Sequence, residues 1–249
     1  MANVRSVDII LMNAAAVKIC SILFIQMKKK EKKNLMTKIN HVCFDLDGTL
    51  VRSAKTIYKT TINTLNQIGI NHHLPEAEFN KMIGQHFHDI FRHFAVDVPD
   101  FEYFIRIYKK NYFNFMDDSD LYDSVYETLS SLKSKNIKIS LLTTKAQDQA
   151  EKIISHFKLD KYFDLIMGRR DGIPHKPSPE PLFFICNELK IKPSETLMVG
   201  DTELDIQCGK AAGSKTCGVT FGYRETEALK TYNPDYLISS LSEINLLLS

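Results

Sequence analysis

The chain has five cysteines in 249 residues, Cys20, Cys43, Cys186, Cys208 and Cys217. None forms a C-x-x-C pair or stands at zinc spacing from a histidine. A zinc site is thereby excluded, and the cysteines read as reduced, mostly buried thiols of a cytoplasmic protein. A basic face is also missing: residues 1–35 hold 7 Lys and Arg against 2 Asp and Glu, leaving 25 against 28 for the rest. No nucleic-acid partner is expected of such a body. Nor is there an uninterrupted membrane-length hydrophobic run. "VDIILMNAAAVKICSILFIQM" is long enough and is followed by "KKKEKK", but Asp8, Asn13, Lys18 and Gln26 break it, and charges near a helix centre are costly to insert. A secretory signal would place its positive region before the apolar one, not after it. Residues 1–35 are therefore read as an extension outside the fold, a start-site artefact ahead of Met27 or Met36 or else a weak membrane anchor, and membrane attachment is not expected.

What the chain does have is 44% hydrophobic residues, enough for one large core or a core with a smaller appended domain. From residue 36 short β-rich runs recur: "INHVCFD", "IKISLLTT", "YFDLIMG", "TLMVGD", "KTCGVTF" and "DYLIS". Between most of them lie segments with helical apolar spacing, such as "DSVYETLSSLKSKN" and "AQDQAEKIISHFKL". Strands alternating with helices predict an α/β fold, a doubly wound parallel sheet covered on both faces. Residues 53–120 break the rhythm with amphipathic helical patterns and no convincing strand. The expected organisation is an α/β core, 36–52 and 121–249, with an all-helical cap domain, 53–120, inserted over the carboxyl ends of the strands, where open α/β sheets bind ligands.

Several predicted strands end in functional groups. "CFDLDGT" delivers Asp45 and Asp47, "IKISLLTT" delivers Thr143 and Thr144, "TLMVGD" delivers Asp201 with Asp205 four residues on, and Lys176 stands in "HKPSPEP". Gathered at one sheet edge, the carboxylates cannot all stay ionised without a cation, and oxygen-only ligation with room for water suits Mg²⁺. Lys176 and Thr143 offer a positive charge and a donor to an anion bound against that metal, and phosphate fits best. One carboxylate can attack the phosphorus in line to form an aspartyl-phosphate. The second, two residues along, can protonate the leaving oxygen and later deprotonate water.

These motifs, in this order, resemble the haloacid dehalogenase superfamily of phosphohydrolases over residues 38–240. The resemblance implies Asp45 as nucleophile and Asp47 as general acid/base, with the Asp47 backbone carbonyl on the metal. It implies Thr143 binding the phosphoryl group, Lys176 steadying nucleophile and phosphate, Asp201 as Mg²⁺ ligand, and Asp205 as ligand or supporting partner. The metal set is thus Asp45, Asp47, Asp201 and Asp205. The K-P-x-P form of the third motif, with helices inserted after the first, resembles the phosphoglycolate phosphatase-like branch.

Substrate contacts are expected from Thr144, which stands where Asn is common, and from Arg52, where Asp is frequent in that branch and an arginine could bind a second anion or pair with an acidic cap residue. In the cap, Gly84, the only glycine between Gly69 and Gly168, predicts a helix break or a close approach to ligand, with Gln85 and Arg92 beside it. The cap histidines His72, His73, His86, His88 and His93 are read as surface or packing groups. The expected activity is Mg²⁺-dependent hydrolysis of a small phosphorylated metabolite, with 2-phosphoglycolate first among substrates. The alternatives are a pyrophosphatase or nucleotidase of the same family and a β-phosphoglucomutase-like isomerase. A monomer or homodimer is expected.

Overall fold

The computed structural model describes residues 38–248, so the expectations for residues 1–35 fall outside the described residues. Six parallel strands form the main sheet: β1 (His41–Phe44), β4 (Lys138–Ala146), β5 (Leu165–Arg169), β6 (Thr196–Gly200), β7 (Lys215–Val219) and β8 (Tyr236–Ile238). Their spatial order is β5-β4-β1-β6-β7-β8. The chain winds outward from β1 through β4 to β5, then returns to lay β6 on the other flank of β1. The order reverses between β1 and β6, and their carboxyl ends frame the crevice of a doubly wound sheet.

Alternation along each strand feeds two hydrophobic layers, as period-two geometry requires. Val42 and Phe44, Ile139 and Leu141, and Leu197 and Val199 face one layer, shared with Leu129 and Leu132 of α5 (Val125–Ser134) and Ile153 of α6 (Gln147–His156). Cys43, Leu142 and Met198 face the other, packed with Leu182 and Ile185 of α7 (Glu180–Leu189) and Cys208 of α8 (Glu203–Ala212). Cys43, Cys186, Cys208 and Cys217 are buried free thiols.

Residues 53–119 contain no strand. They form α1 (Ala54–Gln67), α2 (Glu76–Lys81), α3 (Phe87–His93), α4 (Phe101–Tyr112) and a 3₁₀ segment, Phe113–Asp118. The run "PEAEFNKMIGQHFHDIFRHFAV" is two helices, with the break centred on Gly84, whose φ is +98°. Two short strands that the sequence pattern did not reveal, β2 (Val51–Arg52) and β3 (Asp120–Leu121), pair antiparallel where the insertion leaves and rejoins the core. No helix among the described residues is long and apolar enough to cross a membrane. Two further short helices, α9 (Thr226–Thr231) and α10 (Ile244–Leu247), complete the chain.

Candidate active site

Asp45 follows the last residue of β1 and Asp201 the last residue of β6, so neighbouring strands present both carboxylates at the point where the sheet order reverses. Both are buried. Asp205 joins them from the first turn of α8, and one oxygen from each of the three lies within 4.8 Å of the others. Lys176 threads its ammonium into this group, donating to Asp45 Oδ1 at 2.5 Å, Asp205 Oδ1 at 2.6 Å and the Leu142 carbonyl at 2.9 Å. All three of its hydrogens are then engaged by protein. In this geometry the ammonium is directed at Asp45 and Asp205.

The other Asp205 oxygen accepts from the Thr202 amide at 3.0 Å and the Thr202 hydroxyl at 2.7 Å. Asp205 therefore both caps α8 and balances Lys176, and its position is that of a supporting partner. Asp201 Oδ1 accepts from Thr49 at 3.3 Å, and Oδ2 accepts from the Tyr223 amide at 2.8 Å. A Cβ on Gly48 would overlap the Asp201 carboxylate, and the φ of +84° at Gly48 also favours glycine. The glycine of "DLDGT" is thus explained by close approach and backbone conformation together.

The carboxylate of Asp47 turns away from the cluster. One oxygen accepts a short hydrogen bond from Ser53, and the other lies 3.4 Å from Lys145 Nζ. Ser53 in turn contacts the Tyr223 hydroxyl at 3.0 Å. Lys145 also sits 4.3 Å above the Tyr112 ring. The two carboxyls of the first motif thus have different neighbours, an arrangement that can set their proton affinities apart. Ser53, Tyr223 and Lys145 carried no sequence signal, because they meet Asp47 only through the fold.

Burial pushes the Asp45 carboxyl up to about 7, with Asp205 and Asp47 adding to the rise and Lys176 opposing it. Burial also holds Asp201 well above the carboxylate range, helped by the charges of Asp45 and Asp205. For Lys176 burial alone would lower the value, but Asp205 and Asp45 raise it above that of an ordinary lysine. Buried, oxygen-only and short of positive charge, the trio fits a hard divalent cation, which would let Asp45 and Asp201 ionise together.

Thr143 is buried at the carboxyl end of β4, its hydroxyl accepting from the Lys145 amide at 3.2 Å. Thr144 and Gly84 line the small space around Asp45, Asp47 and Lys176. That space is about 10 Å³, room for about one water and less than a phosphoryl group needs. A Cβ on Gly84 would sit 3.1 Å from the Thr202 methyl, so the break between α2 and α3 closes directly over the core. Arg224 fastens it, gripping Glu203 at 2.7 and 3.1 Å and donating to the carbonyls of Lys81 at 2.6 Å and Ile83 at 3.1 Å. Gln85 lines a neighbouring cavity of about 90 Å³ together with His86 and Asp47.

Two expected substrate residues lie elsewhere. Val51 points inward from β2, so its neighbour Arg52 must point outward. Its guanidinium stacks 4.7 Å over Tyr122 and lines a different cavity with Phe221 and Ser240. Arg92 is exposed on α3 and pairs with Asp89 at 3.0 Å. His86, expected to be a packing group, instead meets His175, the residue before Lys176, ring against ring across the crevice.

Residues 42–219 match the haloacid dehalogenase-like hydrolase family, and the chain belongs to it. It is 38% identical over 215 residues to pyrophosphatase PpaX of Bacillus mycoides (strain KBAB4), covering 85% of this chain and 98% of that protein. It is 37% identical to pyrophosphatase PpaX of Bacillus anthracis (strain A0248), over 85% of this chain and 97% of that one. Among solved structures, a predicted phosphatase from Clostridium acetobutylicum superposes with a TM-score of 0.74 at 30% identity, over 85% of this chain and 98% of that one. A predicted phosphoglycolate phosphatase from Haemophilus somnus 129pt gives 0.75 at 24% identity, over 86% and 100%, a likeness of fold. The protein is a phosphatase of this family.

Proposed function

We propose that the protein hydrolyses a small phosphate compound through an aspartyl-phosphate on Asp45, with Mg²⁺ as cofactor, in the cytoplasm. The observation that carries this reading is the unequal treatment of the two carboxyls: Asp45 is buried against Lys176, while Asp47 is held apart by Ser53 and Lys145. Asp45 and Asp201 would hold the metal, together with the Asp47 backbone carbonyl, and Asp205 would support them through Lys176. Bound there, the cation would neutralise charge on the phosphoryl oxygens.

Asp45 attacks phosphorus, the bond from phosphorus to the leaving oxygen breaks, and Asp47 in its acid form gives that oxygen its proton. Asp47 then takes a proton from water, the water oxygen attacks phosphorus, and the bond to Asp45 breaks to release phosphate. Thr143 and Thr144, at the end of β4, would donate to the phosphoryl oxygens.

Inorganic pyrophosphate is the substrate proposed first, ahead of 2-phosphoglycolate, because the full-length relatives at 37% and 38% identity are named pyrophosphatases. The test is phosphate release from pyrophosphate, 2-phosphoglycolate, sugar phosphates and mononucleotides, with and without Mg²⁺. Asp47→Asn should slow turnover by about 10²–10⁴-fold and let a protein heavier by one phosphoryl group accumulate in acid-quenched samples. Full activity of Asp45→Asn would overturn the reading.

A further inference from the structure

The 90 Å³ cavity beside Asp47 contains groups that the hydrolytic steps leave unused. It shares Asp47, Gly84 and Thr144 with the closed space around Asp45, so the two adjoin. On the reading above, Asp47 protonates the departing oxygen, and the leaving group must lie on the side of Asp47 that this cavity occupies. At about 90 Å³ it is smaller than pockets for drug-sized ligands, which run to about 300 Å³ or more, and suits a compact leaving group.

The charge in the cavity wall has one dominant sign. Lys109, Lys145 and Arg169 contribute to it, against the single carboxylate of Asp47. Lys145 is turned to Asp47, and Lys109 reaches Asp148 at 3.0 Å. Arg169 forms no ion pair with a carboxylate among the described residues. Its charge is felt across the crevice, where it adds to the effect of burial in holding His86 and His175 below the ordinary histidine value.

The second observation is Gln149, on α6. It lines the same cavity and is 5% exposed, and its amide nitrogen has no hydrogen-bond partner among the described residues. A buried N–H without an acceptor is destabilising, by about 1–3 kcal/mol. An unpaired guanidinium and an unpaired amide donor lining the same cavity are suited to an oxyanion.

We infer that Gln149 and Arg169, supported by Lys109, form a subsite for a second anionic group carried by the leaving group of the substrate. The ligand class is a compact phosphate compound ending in another oxyanion, either the far phosphate of a diphosphate or the carboxylate of a short phosphorylated acid. Ile83, Phe87 and Ile90 of the cap give the rest of the cavity an apolar wall against which a short carbon link would lie.

Titration calorimetry on the full chain in saturating Mg²⁺ tests this without needing turnover. The probes are methylenediphosphonate, 3-phosphonopropionate and propylphosphonate, the last having a neutral tail. At least one of the first two should bind tenfold or more tighter than propylphosphonate, and which one does so distinguishes the phosphate from the carboxylate source. Arg169→Ala, at an exposed position, and Gln149→Glu, which keeps the shape and reverses the preference, should each reduce that ratio to about threefold or less. Equal binding of all three probes by the parent protein, binding of none, or a ratio that survives in both variants would overturn the subsite. Phosphate release by the same preparation decides the hydrolytic reading separately. Should Gln149→Glu fail to fold, Arg169→Ala alone decides.

Discussion

Lys176 Nζ lies 2.5 Å from Asp45 Oδ1, and both groups are buried at the end of β1. The pair is held from the other side by Asp205 at 2.6 Å, so removing the ammonium would leave two buried carboxyls without compensation. Breaking a buried ion pair by deleting one partner costs about 3–5 kcal/mol. Lys176→Met is therefore expected to lower the unfolding free energy measured in urea by an amount in that range and to abolish phosphate release. A loss of stability under about 1 kcal/mol would mean that the site tolerates its own charge.

Metal binding should appear as stability. Asp45 and Asp201 face each other with raised carboxyl values, so a divalent cation that binds only the folded state should increase the melting temperature. At a concentration of 100 times Kd the gain is about 2.7 kcal/mol. Asp201→Asn should remove most of that Mg²⁺-dependent shift, and a chelator should silence turnover of the parent enzyme. An equal shift in the variant would move the metal away from Asp201.

His41 gives an acid-sensitivity prediction independent of the site. It is buried in β1 between Thr196 Oγ1 at 3.0 Å and Ser140 Oγ at 2.8 Å, and burial lowers its value to about 4. The unfolded chain therefore binds a proton between about 6.5 and 4 that the folded chain refuses. Stability from this group is complete above 6.5 and falls as pH drops toward 4, by roughly 3 kcal/mol. Urea titrations of wild type and His41→Asn at pH 7 and pH 4 should show the smaller pH dependence in the variant. Parallel losses would exclude His41 as the cause.

Gly84 is one of the points where residues 53–119 meet the sheet. Its φ of +98° is strained for any other residue, and a methyl there would press Thr202 at 3.1 Å. Gly84→Ala should lose about 1–3 kcal/mol in denaturant melts and raise KM more than it lowers kcat, because Gly84 lines the space in front of Asp45. An unchanged KM would separate the break from substrate capture.

Much of the site was legible because its residues end strands. Asp45, Thr143 and Asp201 each follow a run of alternating or continuous apolar residues, and a parallel sheet can only bring such ends to one edge. Lys176 was legible from its K-P-x-P motif ahead of a predicted helix. The direction of Arg52 was not legible, because nothing in the pattern marks the two-residue strand β2, whose alternation decides which way that side chain faces. The partners of Asp47, the pairing of His86 with His175 and the unpaired amide of Gln149 depend on contacts between residues far apart in sequence, or across elements whose packing angle no periodicity records. Single helices in the insertion were readable from amphipathic spacing. The break at Gly84 was readable as an interruption, but not as a contact.

The bridge made by Arg224 ties the break at Gly84 to the first turn of α8, which carries Asp205. One edge of its guanidinium holds Glu203, two residues from both Asp201 and Asp205, and its other nitrogen holds the carbonyls that flank the insertion's break. A planar fork cannot keep both grips once these elements separate. The space around Asp45 holds about one water, less than a phosphoryl group needs, so binding there is expected to require these elements to part. Weakening the Arg224 bridge is therefore expected to alter substrate capture and phosphate departure together.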